Sequence, residues 1–140
     1  MITINKIFLD TSFAIALTFV TDRYHVQAKD LTEKLEKTNI SLITTRAIII
    51  EIVNALSKER YRKASISLIN SLETDPNVTI VPITEDLYHK AFQLYEMRTD
   101  KEWGLTDCIS FVVMEDYGLT DALTADRHFQ QAGFKALLIL

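Results

Sequence analysis

The stretch GLTDCISFVVMEDYGLTDALTADRHF, residues 104–129, contains the strongest structural pattern in the chain. Residues 108–114 are apolar on nearly every face, which is typical of a helix buried inside a protein. Thr106 is a predicted cap for this helix, and Asp107 stands in its first turn. Gly118 is a predicted stop, because glycine readily adopts the left-handed conformation that ends many helices. The stretch therefore predicts a buried helix with a carboxylate at its start.

A short strand follows this helix and leads to a second acid. Residues 122–125 are predicted to form the strand, and Asp126 stands at its carboxyl end. A carboxylate beside an apolar core is costly unless something cationic balances its charge. Asp107 and Asp126 together therefore indicate a site for a cation at the margin of the core.

The composition is that of an ordinary globular protein. The chain has 140 residues, of which 48% are hydrophobic and 24% charged, and this fits a single domain over residues 1–140. The net charge of -4 argues against binding to nucleic acid by bulk charge alone, although a local basic patch is compatible with it. The single cysteine, Cys108, excludes an intrachain disulfide and a cysteine zinc site.

The apolar run over residues 7–20 raises the question of a membrane segment. The run is too short for a spanning helix, and Asp10 interrupts it. Lys6 is its one basic flank and no A-x-A cleavage pattern follows it, so a signal peptide is not expected. We therefore expect a cytoplasmic protein with no membrane segment.

Strand and helix patterns alternate along the whole chain. Strands are predicted over residues 6–9, 41–44, 78–83, 122–125 and 135–140. Helices are predicted over residues 13–19, 22–37, 64–72 and 85–98, after Thr45, and in the buried stretch. The predicted helix caps outside that stretch are Thr11 or Ser12, Thr45 and Thr84. This order predicts an α/β fold with a mainly parallel sheet and helices on both of its faces.

The first strand has the pattern of a sheet centre. Residues 6–9 form an apolar run without alternation, as expected of a parallel strand that is covered on both faces. Asp10 follows this strand directly, and open α/β sheets bind ligands at the carboxyl ends of their strands. If the strands before Asp10 and Asp126 are neighbours, both acids lie at the same edge of the sheet.

Four acids stand beside or within apolar runs: Asp10, Glu51, Asp107 and Asp126. Four like charges in one pocket would repel one another and raise some of the pKa values, and a divalent cation removes that cost. Oxygen ligands without His or Cys favour hard ions such as Mg²⁺ or Mn²⁺. Such an ion can activate water and stabilise the charge that develops on a phosphate during hydrolysis. Thr11 or Ser12 could orient a ligand or a water molecule there.

Each acid also has an ordinary structural explanation. An Asp at the start of a helix is usually a cap, and Glu51 could face solvent beside Asn54. The spacing of the acids leaves the metal site and the structural explanation equally open. The matching positions of the acids at strand ends and helix starts favour the metal site.

Four segments of the sequence resemble one family. They are FLDTS at residues 8–12, IIIEIVNAL at 48–56, WGLTDCISFVVM at 103–114 and ALTADRHFQQAGF at 122–134. Together they resemble the PIN-domain family, and within it the toxin ribonucleases of VapBC toxin–antitoxin modules. The resemblance covers essentially the whole chain, and the last two segments are its most specific part.

The resemblance implies a fold, an activity and partners. The fold is a three-layer α/β/α sandwich around a mainly parallel sheet, and the activity is Mg²⁺- or Mn²⁺-dependent endonucleolytic cleavage of RNA. The catalytic and metal-binding acids of the family correspond, in order, to Asp10, Glu51, Asp107 and Asp126. Ser12 corresponds to the family's small hydroxyl residue near the first acid. The resemblance also implies a homodimer and a cognate antitoxin that occludes the site.

Two basic segments are candidates for RNA binding. In KERYRK, residues 58–63, Arg60 and Arg62 could contact RNA phosphates, although a solvated helix end explains this segment better. Arg127 and His128 directly follow Asp126 and are better placed for substrate, but His128 could also be an ordinary loop residue.

Three other functions suit an acidic pocket on such a sheet. A phosphoacceptor signalling domain would require a lysine at a late strand end, where Asp126 and Leu140 are predicted instead. A haloacid-dehalogenase-like phosphatase requires Asp-x-Asp, and Ser12 stands where the second Asp would be. A PIN nuclease that acts in RNA maturation or on DNA flaps remains open, and the small size of the chain favours the toxin over it.

Overall fold

Five strands and seven helices alternate along residues 6–140, the part of the chain that the computed structural model describes. The strands are β1 (Lys6–Leu9), β2 (Ser41–Thr45), β3 (Val78–Val81), β4 (Asp121–Leu123) and β5 (Lys135–Ala136). The helices are α1 (Thr11–Thr18), α2 (His25–Glu36), α3 (Arg46–Ala55), α4 (Glu59–Thr74), α5 (Glu85–Met97), α6 (Leu105–Asp116) and α7 (Arg127–Gln131). The alternation confirms the α/β class that the sequence predicts.

The strands form one parallel sheet in the order β3-β2-β1-β4-β5. The chain builds outward from β1 through β2 to β3, and then returns to place β4 on the other side of β1. The strand order thus reverses between β1 and β4, and such a reversal opens a crevice at the carboxyl ends of the two strands. The sequence predicted a mainly parallel sheet, and every strand pair in the described residues is parallel.

The central strand β1 is buried on both faces of the sheet. Ile7, Phe8 and Leu9 are each at most 4% exposed. Phe8 belongs to an apolar cluster with residues of α3, α5, α6 and α7, whereas Ile7 and Leu9 belong to a second cluster with residues of α1 and α2. Because successive side chains of a strand point to opposite faces, an unbroken apolar run is what a covered central strand needs. The α/β/α sandwich is therefore confirmed.

Two helices begin at threonine caps, as the sequence predicts. The Thr45 hydroxyl accepts a hydrogen bond from the Ile48 amide at 3.1 Å, and Thr84 accepts one from Leu87 at the same distance. Each cap satisfies a backbone donor that the first turn of a helix leaves without a partner. Gly118 follows the end of α6 with a φ of 66°, which confirms the predicted left-handed stop.

Two other predicted caps are wrong. Helix α1 begins at Thr11 with Asp10 at the cap position, and α6 begins at Leu105 with Gly104 at the cap position. In α1 the Thr11 hydroxyl donates to Glu51 instead of capping the helix. In α6 the Asp107 carboxylate accepts a hydrogen bond from the Gly104 amide at 3.2 Å, so Gly104, two residues before the predicted cap at Thr106, can take the cap position without a hydroxyl.

The last two strands are shorter than predicted. Strand β4 ends at Leu123, and the side chain of the next residue, Thr124, forms hydrogen bonds with the Asp10 carboxylate and with the Asp126 amide. Strand β5 ends at Ala136, where a turn is closed by a hydrogen bond from the Ile139 amide to the Ala136 carbonyl. Asp126 therefore lies beyond the strand rather than directly at its end.

The basic segment KERYRK, residues 58–63, lies mostly in the first turns of α4, which begins at Glu59 and not at the predicted residue 64.

No helix within residues 6–140 combines the length and the apolar character that crossing a bilayer requires.

Candidate active site

The candidate site lies at the carboxyl edge of β1 and β4. Asp10 directly follows β1, and Asp126 stands three residues after the end of β4. The two strands are parallel neighbours, with Phe8 beside Ala122 and Leu9 beside Leu123. Both acids are therefore at the same edge of the sheet, as predicted, and this edge is where the strand order reverses.

The first acidic group consists of Asp10 and Glu51. Asp10 is 5% exposed, and its Oδ2 atom accepts hydrogen bonds from the hydroxyls of Thr124 at 2.6 Å and Ser12 at 3.1 Å. Glu51 is on α3, and its Oε1 atom accepts a hydrogen bond of 2.5 Å from the Thr11 hydroxyl. Thr11 and Ser12 thus fix the two carboxylates from the first turn of α1. The Asp10 side chain forms no capping hydrogen bond, so capping does not explain its burial.

The second acidic group consists of Asp107, Asp126 and His128. Asp107 Oδ2 is 2.8 Å from Nδ1 of His128, and the same nitrogen is 3.6 Å from Asp126 Oδ1. Atoms of the three side chains that could bind a metal all lie within 4.8 Å of one another. Both aspartates also accept hydrogen bonds from backbone amides at helix starts: Asp107 accepts from the Gly104 amide at the start of α6, and Asp126, the cap residue of α7, accepts from the His128 amide at 2.8 Å. Capping and clustering are therefore compatible at these two positions.

A threonine joins the two groups. The Thr124 hydroxyl donates to Asp10 Oδ2 and accepts a hydrogen bond from the Asp126 amide at 3.0 Å. Thr124 has no exposed surface. The Ser12 hydroxyl lies 3.0 Å from that of Thr124 and accepts from the Ala125 amide at 2.9 Å, so α1 and the segment after β4 are joined twice.

Burial makes the site unfavourable for uncompensated negative charge. Loss of hydration is the main reason that the pKa of Asp10 rises from 3.8 to about 6, and the nearby Glu51 charge adds to it. The hydrogen bonds from Thr124 and Ser12 act in the opposite direction. Burial also raises the pKa of Asp107, with a smaller contribution from the charge of Asp126, while the hydrogen bond to His128 lowers it. A cation at this edge would relieve the cost in both groups.

The family model of the PIN domain matches residues 7–135 of the chain. This protein belongs to the PIN-domain family. The resemblance seen in the sequence is therefore confirmed.

Two comparisons with a mycobacterial protein extend along most of this PIN domain. The chain is 27% identical over 128 residues to the 23S rRNA-specific endonuclease VapC20 of Mycobacterium tuberculosis, and the match covers 91% of the chain and 95% of VapC20. The crystal structure of VapC20, described as a sarcin–ricin loop cleaving toxin, superposes with a TM-score of 0.81 at 26% identity and with the same coverage.

A second solved structure shares the architecture. FitAcB from Neisseria gonorrhoeae superposes with a TM-score of 0.66 at 20% identity, over 96% of this chain and 99% of that one. A likeness at this level of identity supports the fold alone.

The side chains of this PIN domain suit a hard divalent cation. Carboxylate oxygens are the ligands that Mg²⁺ and Mn²⁺ prefer. Asp107 and Asp126 offer them within one cluster, and the buried carboxylate of Asp10 is held at the same edge, joined to the cluster by Thr124. Asp10 and Glu51 are not members of the 4.8 Å cluster.

The predicted substrate-binding residues are in three different situations. His128 lies inside the second acidic group, closer to the acids than the sequence indicates. Arg127 is exposed, and its side chain forms no hydrogen bond or ion pair within the described residues. Arg60 lies over the ring of Tyr61 with 4.8 Å between the guanidinium carbon and the ring centroid, and Arg62 donates to the Ser57 carbonyl at 2.7 Å. The arginines of α4 thus have local partners, which agrees with a solvated helix end.

Thr124 is the residue of this edge that sequence reasoning missed. Its signal is weak: a threonine at the end of an apolar strand pattern, two positions before Asp126. Threonine is common in strands, so the residue type alone does not separate a hydrogen-bonding role from ordinary strand preference. Its partner, Asp10, is 114 residues away in the sequence.

Proposed function

We propose that this protein is an Mg²⁺- or Mn²⁺-dependent endoribonuclease that hydrolyses RNA phosphodiester bonds. One observation carries the proposal. Two acidic groups, joined by Thr124, lie at the carboxyl edge of β1 and β4, where the strand order of this PIN domain reverses. The likeness to a 23S rRNA-specific endonuclease over 91% of the chain supports RNA as the substrate and ribosomal RNA as the first candidate.

The carboxylates of Asp10, Glu51, Asp107 and Asp126 are the proposed metal ligands and catalytic residues. When bound, the ion supplies an activated water and stabilises the negative charge that develops on the phosphate. The Thr11 and Ser12 hydroxyls keep Glu51 and Asp10 in place, so less ordering is needed when the ion binds.

His128 and Arg127 are the proposed substrate contacts. The ring of His128 is 2.8 Å from the Asp107 carboxylate, so its orientation is fixed beside the acids. The exposed guanidinium of Arg127 stands next to Asp126 and can pair with an RNA phosphate. Arg60 and Arg62 are more distant candidates, since each already has a local partner.

We also propose that the protein is the toxin of a type II toxin–antitoxin pair. VapC20 is described as a toxin, and this chain resembles it over nearly its full length. A cognate antitoxin and a homodimer are the proposed partners, and the proposed location is the cytoplasm, where ribosomal RNA is found. One PIN domain over residues 1–140 is the proposed organisation.

Cleavage of a defined RNA tests the nuclease. The purified protein is mixed with an end-labelled RNA stem-loop that copies the sarcin–ricin loop of 23S rRNA, with Mn²⁺ or with a chelator. We expect the parent protein to cleave internal bonds of this RNA with Mn²⁺ but not with the chelator, and we expect no cleavage by Asp107→Asn. The matched control is Asp30→Asn, the same change at an exposed position of α2. If the folded protein with Mn²⁺ cleaves neither this RNA nor total cellular RNA, the nuclease proposal is wrong.

Growth separates the toxin from a nuclease of RNA maturation. Induced expression should arrest growth, and Asp107→Asn should remove the arrest at equal protein level. Normal growth with active, soluble enzyme would favour the maturation role. Light scattering of the purified protein measures whether it is a dimer, and a monomeric mass would contradict that part of the proposal.

A further inference from the structure

The hydrogen bonds around Thr124 fix the position of its proton. The Asp126 amide donates to the Thr124 oxygen, and an amide cannot accept a proton in return. Two acceptors remain within reach of the hydroxyl proton, Asp10 Oδ2 at 2.6 Å and the Ser12 oxygen at 3.0 Å. The shorter bond, to an ionisable carboxyl, is the stronger of the two. The Thr124 hydroxyl therefore accepts a hydrogen bond from the Asp126 backbone amide and donates one to the Asp10 side chain.

Ser12 completes this arrangement without competing with it. Its oxygen accepts from the Ala125 amide, and its proton is directed to the same Asp10 Oδ2 atom at 3.1 Å. Two adjacent amides of the segment after β4 thus hold two hydroxyls, and both hydroxyls hold one carboxylate oxygen. This geometry fixes the Asp10 carboxylate relative to residues 125 and 126.

No direct hydrogen bond or ion pair within residues 6–140 joins the Asp10 and Glu51 side chains to those of Asp107, Asp126 and His128. The relative position of the two acidic groups therefore depends on the backbone and on the hydroxyls between them. Thr124 is fully buried, so water cannot easily replace its hydroxyl. A ligand set for one ion requires its members within a few tenths of an ångström of their places.

We propose that Thr124 is a positioning residue that holds Asp10 and Asp126 at the separation a divalent cation requires. The inference rests on the proposed function, because it assumes that these acids bind the ion together. Thr124 itself binds neither metal nor RNA in this scheme. It acts through the two acids, and its removal should weaken metal binding before it affects the binding of RNA.

Three variants separate this role from simple packing. Thr124→Val keeps the volume and removes the hydroxyl, whereas Thr124→Ser keeps the hydroxyl and removes the methyl group. Thr44→Val is the matched control, because Thr44 is also fully buried and its hydroxyl donates a hydrogen bond to the Leu9 carbonyl of the neighbouring strand β1 at 2.8 Å. The control loses a buried hydrogen bond in the same sheet without losing a contact to an acid.

Calorimetric titration with Mn²⁺, without RNA, gives the first measurement. Loss of such a supporting hydrogen bond typically costs about 10–100-fold in metal affinity, and we expect a loss of this size in Thr124→Val. Thr124→Ser and Thr44→Val should stay within about threefold of the parent protein, well below that range. If the valine variant does not fold, Thr124→Cys replaces it, since a thiol is only a weak donor.

The second measurement is the rate of RNA cleavage as a function of Mn²⁺ concentration. Thr124→Val should lose activity at limiting Mn²⁺ and recover most of it at saturating Mn²⁺, with KM for RNA unchanged. Equal losses in the serine and valine variants, or a parent-like Mn²⁺ affinity in Thr124→Val, would overturn the role of the hydroxyl. A parent protein that binds no Mn²⁺ and cleaves no RNA would instead contradict the proposed function, so the two failures are distinct.

Discussion

Replacing Asp10 by Asn is expected to abolish RNA cleavage and yet to stabilise the metal-free protein. The Asp10 carboxyl is buried, and burial raises its pKa to about 6 in the folded state. An acid whose pKa is higher in the folded than in the unfolded state opposes folding once it ionises. The amide has nearly the same shape, can accept the hydrogen bonds from Thr124 and Ser12, and carries no charge.

The size of the effect follows from the pKa difference. Between the ordinary value of 3.8 and a value of about 6, ionisation of Asp10 costs the folded protein about 3 kcal/mol at pH 7.5. Well below pH 3.8 the acid is protonated in both states and the cost is absent. It grows as the pH rises through this window, and at pH 5.0 it is about half of the full value. Because the amide also needs partners for its own protons, we expect a gain of about 1–3 kcal/mol at pH 7.5.

Thermal unfolding in the presence of a chelator measures the gain. For a protein of this size, about 1–3 kcal/mol corresponds to a rise in Tm of about 3–9 °C. The scans are recorded at pH 7.5 and at pH 5.0, where the gain should be smaller by about 1.5 kcal/mol because half of the ionisation cost is absent. Asp30→Asn on α2 makes the same substitution at an exposed position, and its Tm should remain near that of the parent.

Two results would refute this reasoning. If the Tm of Asp10→Asn at pH 7.5 is equal to or below that of the parent protein, burial of the ionised Asp10 carboxylate does not destabilise the fold. A gain of equal size at both pH values would mean that the stabilisation has another origin than ionisation. Saturating Mn²⁺ should reduce or reverse the advantage, because the ion stabilises the folded parent protein by mass action.

Three further outcomes are expected. Asp107→Asn should lower Mn²⁺-dependent RNA cleavage by at least about 100-fold with an unchanged circular dichroism spectrum, and retained activity would remove Asp107 from the proposed site. Glu51→Gln should weaken Mn²⁺ binding in calorimetry by about tenfold or more, and an unchanged titration would leave Glu51 a surface residue. Phe129→Ala should lower the free energy of unfolding, measured in urea, by about 3–5 kcal/mol. The ring is fully buried and packs on Phe8 and Phe111 at centroid distances of 6.0 and 5.1 Å. A loss below about 1 kcal/mol would contradict that packing.

Local patterns were sufficient for the elements and for much of the layering. The apolar residues 7–9 predicted a central strand covered on both faces, and β1 is that strand. Thr45, Thr84 and Gly118 marked helix ends correctly, because capping and left-handed backbone depend on residues only a few positions apart. The boundaries failed at Thr106, where a hydrogen bond from the Gly104 amide to Asp107 accompanies an earlier start.

The four candidate acids were chosen from their places beside apolar runs and from the resemblance to PIN-domain motifs. Their grouping could not be predicted in this way. That Asp10 is near Glu51, and Asp107 near Asp126 and His128, depends on how α1 packs against α3 and on where α7 begins. These are packing outcomes of separate segments, and no periodicity within one segment specifies them.

The sequence by itself determined the α/β class and the central strand and supplied the candidate acids, since burial and backbone preference follow from local residue patterns. Only the tertiary structure decided that β4 pairs with β1 and that Thr124 reaches Asp10 across 114 positions. The physical reason is that a long-range hydrogen bond forms only after strand order has brought two distant segments together. Strand order is set by the packing of the whole core, so a buried threonine remains indistinguishable in the sequence from any other strand residue.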